Sequence, residues 1–174
     1  MINRREAIER MALALAASLG SPAAARAAAE ALVADSYAPK ALTPQQLEQV
    51  ATIADHIIPR TDTPGARDAG VHRFVDTMLA EYYTAAEREQ FITGLADVQQ
   101  HARQSGNLPA TLEQLDRETH AQRTPTFFRM MKELTILGYY TSQPGATKEL
   151  RYVQVPGRYD GCVPFPADGR AWAT

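Results

Sequence analysis

One cysteine, Cys162, stands among 174 residues, so no internal disulfide can form, and no paired cysteines exist to hold zinc or an iron–sulfur cluster. A basic excess is missing too. With 18 Lys and Arg against 20 Asp and Glu, the chain has a formal charge of -2 and lacks the cationic surplus that neutralises phosphates, which argues against a nucleic-acid partner. Aromatic residues make up only 7%, and no segment alternates apolar and polar residues, which favours packed helices over a β-sandwich. Nor does the chain hold Gly-x-Ser-x-Gly, Gly-x-Gly-x-x-Gly or a Gly-Lys-Ser/Thr phosphate loop, and its carboxylates lie scattered at helical surface spacings. What is there, 45% apolar and 22% charged residues with abundant Ala, fits one modest all-α domain behind a separate leader.

The leader occupies residues 1–30. Charged residues through Arg10 precede the apolar run 11–19, then Gly20-Ser21-Pro22 and the alanine groups 23–25 and 27–29, which satisfy the small-residue pattern of a signal peptidase site. As a helix the apolar run extends about 14 Å, half of the ~30 Å of a bilayer core, so it cannot span one alone. Arg4-Arg5 resembles the twin-arginine leader pattern, with Ala7 and Glu9 departing from its flanking preferences. The order of segments predicts an export leader, and Arg4-Arg5 points to the twin-arginine (Tat) route to the periplasm, which carries folded cargo; the alternative is an ordinary amphipathic Ala-rich helix with Arg10 and Arg26 on its wet face.

After a linker over 31–42, a helical body is predicted over 43–142. Thr43-Pro44-Gln45-Gln46 supplies an N-cap, a proline at the first helical position and a capping box, and apolar residues then recur at spacings of three and four until Pro59. Turn residues 60–65 follow. Val71 to Tyr82 marks a second amphipathic helix, and Thr84-Ala85-Ala86-Glu87 opens a third that ends at Gly106. A short fourth helix is expected near 112–120. A fifth is expected to be capped by Thr124-Pro125, with Phe127, Phe128, Met131, Leu134, Thr135 and Leu137 on its apolar face, ending near Gly138. The fold class is therefore all-α: a small bundle of about five helices with a long irregular C-terminal segment.

That segment, 143–174, contains eight of the 21 Gly and Pro residues between positions 144 and 169, a density that forbids long regular structure. Yet it is apolar, and with the end of the fifth helix it gathers Tyr139, Tyr140, Tyr152, Tyr159, Phe165 and Trp172. Rings on an irregular strip anchor protein interfaces, because they bury large area at small rotamer cost. These six are the candidate partner interface; the alternative is that the strip wraps its own bundle. Cys162 lies within it and, in an exported chain, is a candidate for an intersubunit disulfide.

A search for catalytic groups gives little. His72 and Asp76 stand four apart on one helical face, and Asp55-His56 lies on another helix, so His56, His72 and Asp76 define an alternative reading as a small metal-dependent hydrolase. A second alternative is a helical adaptor held at a membrane surface by an uncleaved leader. No catalytic, cofactor or metal residue is assigned.

The runs 53–66 (Ile53-Ala54-Asp55-His56-Ile57-Ile58-Pro59-Arg60 onward), Ala69-Gly70-Val71-His72 with Phe74-Val75-Asp76, Gly138-Tyr139-Tyr140-Thr141-Ser142 and 155–162 resemble the gluconate 2-dehydrogenase subunit 3 family. The resemblance implies a noncatalytic small (gamma) subunit of a periplasmic sugar or sugar-acid dehydrogenase. Glucoside 3-dehydrogenase small subunits are similar. It also implies that the partner is a flavoprotein of the glucose-methanol-choline (GMC) type lacking its own leader, stabilised by this chain and exported with it by the Tat translocase. A cytochrome c subunit accompanies some such pairs. The cofactors, FAD with an iron–sulfur cluster or haem c where the complex carries one, would then reside in the partners and none in this chain.

Overall fold

The computed structural model describes residues 37–121, 126–155, 157, 162, 164 and 169–173. The chain divides into two compact units, 1–38 and 39–174, and the described residues fall almost entirely in the second. The leader, with Arg4 and Arg5, lies outside the described residues, as do Tyr159 and Phe165.

The second unit is an all-α bundle. Helix α1 (Pro44–Ile57) starts where the sequence predicts: the Thr43 hydroxyl accepts from the Gln46 amide at 3.2 Å, while the Gln46 side chain accepts from the Thr43 amide at 2.9 Å. Pro59 disfavours helical geometry at the preceding residue, and Ile58 leaves the helix at φ -129°. The loop that follows folds back through the Ala66 amide, which donates to the Ile58 carbonyl at 2.9 Å. Its Gly65 admits no side chain, since a Cβ there would sit 2.7 Å from Asp55 Oδ1 and 2.8 Å from the Arg60 nitrogen. Helix α2 (Val71–Glu81) buries Val71, Val75, Asp76 and Leu79.

Helix α3 (Ala85–Ser105) opens on the expected Thr84–Glu87 capping box and stops at left-handed Gly106 (φ 66°). Helix α4 (Leu108–Ala121) is longer than the short element expected, because it begins a full turn earlier, where the Asn107 side chain accepts from the Ala110 amide at 3.0 Å. Helix α5 (Phe127–Tyr140) is capped by Thr126, whose hydroxyl accepts from the Arg129 amide at 3.2 Å, and it runs past Gly138.

Helix α5 is the hub. It packs on α1, α2, α3 and α4, and its Met131, Leu134 and Tyr139 meet Ile53, Val75, Leu79, Phe91 and Leu95 in one core. Two glycines let it approach its neighbours closely. A Cβ on Gly94 of α3 would fall 2.3 Å from Phe127, and one on Gly138 would fall 2.6 Å from the Phe74 ring. The Phe91 and Phe127 rings meet edge to face at 4.9 Å.

Beyond α5 comes a π-helical turn (Gly145–Glu149), closed by the Leu150 amide donating to the Gly145 carbonyl at 2.9 Å. Two short strands follow, β1 (Arg151–Tyr152) and β2 (Trp172–Ala173), paired in parallel. The C-terminus thus returns to the chain that precedes it. Arg170 fastens this return: its guanidinium donates to the Thr147 carbonyl at 2.9 Å and to the carbonyls of Glu149 and Leu150, the open end of the π turn.

Candidate interaction surface

Three of the sequence segments singled out above, 53–66, 69–76 and 138–142, converge at one end of the bundle, while most of the fourth, 155–162, lies outside the described residues. Tyr139 reaches from α5 into the 58–70 loop and donates its hydroxyl to the Pro64 carbonyl at 2.8 Å. Gly138 receives Phe74, and the Thr63 hydroxyl donates to Glu149 of the π turn at 2.7 Å. The loop is braced from outside by two ion pairs, Arg60–Asp68 and Arg67–Glu48, each at 2.5 Å. Hydrogen bonding to Arg60 holds the Asp68 carboxyl below its ordinary range, and hydrogen bonding to Arg67 does the same for Glu48. These contacts position backbone.

Of the residues considered for metal chemistry, Asp76 serves the backbone. Asp76 is fully buried, its Oδ2 accepting from the Lys40 amide at 2.7 Å and its Oδ1 from those of Ala41 (3.0 Å) and Leu42 (2.8 Å). Three successive amides form an anion-binding nest, and the chain fills it with its own carboxylate. Residues 40–42, read from sequence as linker, are thereby fixed to α2, and Lys40 adds an ion pair with Glu81 at 2.5 Å. His72 lies partly buried on the same helix. His56 is exposed in the last turn of α1, beside a cavity of about 250 Å³ that Glu113, Asp116 and Lys132 also line. Among the described residues no three His, Cys, Asp or Glu side chains group as metal ligands. Also among them, no helix is long and apolar enough to cross a membrane.

A larger cleft of about 640 Å³ opens between α3 and α4. Its floor is Val98, Leu115, Phe127 and Phe128. The His101 Nδ1 donates to the Asp97 carbonyl at 2.8 Å. Neutral amides and hydroxyls dominate the rim, with Asp97 and Glu118 the carboxylates.

The aromatic candidates separate. Tyr139 is not an interface residue: it is 1% exposed, because it follows Leu134, Thr135 and Gly138 on the inner side of α5 and its hydroxyl finds a loop carbonyl there. Tyr140, one position on, faces outward at 40% exposure and meets Tyr139 edge to face at 5.3 Å. Partial burial, with Glu149 nearby, raises the Tyr140 phenol above its ordinary value, so it stays a neutral hydrogen-bonding group. Trp172 lies in register with Arg151, whose guanidinium stacks 4.5 Å from the centre of its ring; Tyr152 pairs with Ala173. The alternation of a strand therefore sends Tyr152 and Trp172 to opposite faces of the ribbon, each about half exposed. Cys162 is exposed.

Sequence reasoning misplaced Leu137 and passed over Ile136. Both lie on the outer side of α5 at 49% and 42% exposure. Leu137 stands two turns beyond buried Met130 on the same side of the helix, and burial on that side ends between them. Apolar spacing gives no signal for the point at which a neighbouring helix stops covering a face.

Compared with known proteins, residues 44–157 match a family model described as Gluconate 2-dehydrogenase subunit 3. No curated protein matches the chain, and no solved structure does.

Proposed function

Because the chain belongs to the gluconate 2-dehydrogenase subunit 3 family, we propose that it is the noncatalytic small subunit of a periplasmic flavin-dependent sugar or sugar-acid dehydrogenase complex. Its partner is a leaderless flavoprotein of the GMC type, which it stabilises and escorts through the Tat translocase. The observation that carries this reading is the family match over α1 to β1. The residues agree with it: Asp76 serves the backbone, the loop ion pairs brace structure, and the apolar surface lies outside. Each feature suits a chain whose work is contact. In this reading FAD and any haem or iron–sulfur cluster sit in partner chains, and substrate choice lies with the flavoprotein.

Two measurements test it. The flavoprotein is expressed with the wild-type chain, with an Arg4→Lys/Arg5→Lys variant, and alone. Soluble, active flavoprotein is expected in the periplasm only with the wild type; active periplasmic flavoprotein made alone refutes the escort role. The isolated chain is expected to oxidise no sugar.

A further inference from the structure

Resting on the small-subunit reading above, we infer that the outer stripe of α5, centred on Ile136, Leu137 and Tyr140, is the face on which the flavoprotein docks. Eight residues of α5, from Phe127 to Tyr139, are buried, most of them on its inner side. A surface helix carries polar residues on its other side, and α3 does so with Glu89, Gln90, Asp97, Gln100 and Arg103 exposed. Helix α5 instead turns Ile136, Leu137 and Tyr140 to solvent, with Glu133 at the head of the stripe. A helix apolar on both sides is built to be covered on both.

The stripe continues at its C-terminal end into the π turn and ribbon. Ile136, Leu137 and Tyr140, at 40 to 49% exposure, form an apolar stripe to which the ribbon can add one ring, since Tyr152 and Trp172 lie on its opposite faces. Such a stripe would form the core of one side of a standard interface of about 800 Å² per partner.

Charge narrows the partner. The chain as a whole is acidic, yet the described part of this end carries Lys148, Arg151 and Arg170 against Glu149, whose carboxylate already accepts from Thr63. The flavoprotein face that fits is apolar with an acidic rim beside the ribbon. The C-terminal end of α5 is also tied to its surroundings. Tyr139 is tied to Pro64, Ser142 donates to the Tyr139 carbonyl at 2.6 Å, and Gly145 packs so tightly on that carbonyl that a Cβ would overlap it. Little ordering is left to oppose association.

The test uses the full chain and the FAD-bearing chain that purifies with it, separated and then titrated back together. An I136E/L137E variant, and independently L137S/Y140S, is expected to weaken binding by a hundredfold or more, with the helical circular dichroism of the chain unchanged. Tyr82→Glu, at a residue 72% exposed after α2, is the control and binds as wild type. Binding by both stripe variants within twofold of wild type overturns the inference while leaving the small-subunit reading intact. Failure of the wild-type chain to bind any FAD-bearing chain removes both. If the stripe variants instead only convert a self-associated wild type to monomer, the face belongs to a second copy and the inference is wrong.

Discussion

Asp76 is the residue whose chemistry is easiest to mistake. Its spacing from His72 suits a metal pair, yet burial and three amide donors make it an anchor for residues 40–42. Hydrogen bonds to a charged group contribute about 1.5–3 kcal/mol each, and orphaning buried donors costs more. Asp76→Ala should therefore lower unfolding stability by about 3 kcal/mol or more in a urea titration. Asp76→Asn should fall between, since one amide oxygen can still accept from Ala41 and Leu42 while its NH₂ group opposes the Lys40 amide. Tyr139 yields the opposite lesson. Tyr139→Phe should cost about 1 kcal/mol through loss of the Pro64 bond, measured the same way, and leave partner capture unchanged. Residue type alone told neither story: a buried carboxylate and a buried phenol are explained by the backbone groups facing them, and those groups come from segments 34 and 75 positions away.

Individual helices were legible where local chemistry marks their ends. Both capping boxes, Pro59 and Gly106 set their boundaries through contacts within a few residues, so α1 and α3 follow directly from the chain. The expectation of α4 near 112–120 omits its first turn, which starts at the Asn107 cap and holds Pro109 where a missing amide is tolerated. The C-terminal return was not legible at all. Its density of Gly and Pro rules out long elements and says nothing of a two-residue strand pair fastened by Arg170. Arg170→Ala removes the donors on the π-turn carbonyls and should free β2. Trp172 is the single tryptophan, so a red shift of the intrinsic tryptophan emission, with faster limited proteolysis of the tail and unchanged helical content, would report it. Emission identical to wild type would mean the ribbon holds without the clamp.

For the molecule as a whole, the acid side of the stability profile is set partly by the braces on the 58–70 loop. Glu48 and Asp68 titrate below their ordinary values in the folded chain, through Arg67 and Arg60 respectively. A carboxyl with a depressed folded value contributes stability that is complete above the unfolded value, about 4, and lost as pH falls through the folded one. The melting temperature should thus be level between about pH 7 and 5 and decline below about pH 4. Both pairs are largely exposed and screened, so the contribution is small. Arg67→Gln returns Glu48 toward its ordinary value and should shallow the decline, which a melting series from neutral to acid pH would reveal. An unchanged slope would assign the acid sensitivity elsewhere.

The nest around Asp76 has one more outcome. Since the first amides it grips belong to Lys40, Ala41 and Leu42, the domain's own foundation begins at that peg. A chain that starts at Pro39 keeps all three amides. Shortening the chain by four further residues would pull the peg itself.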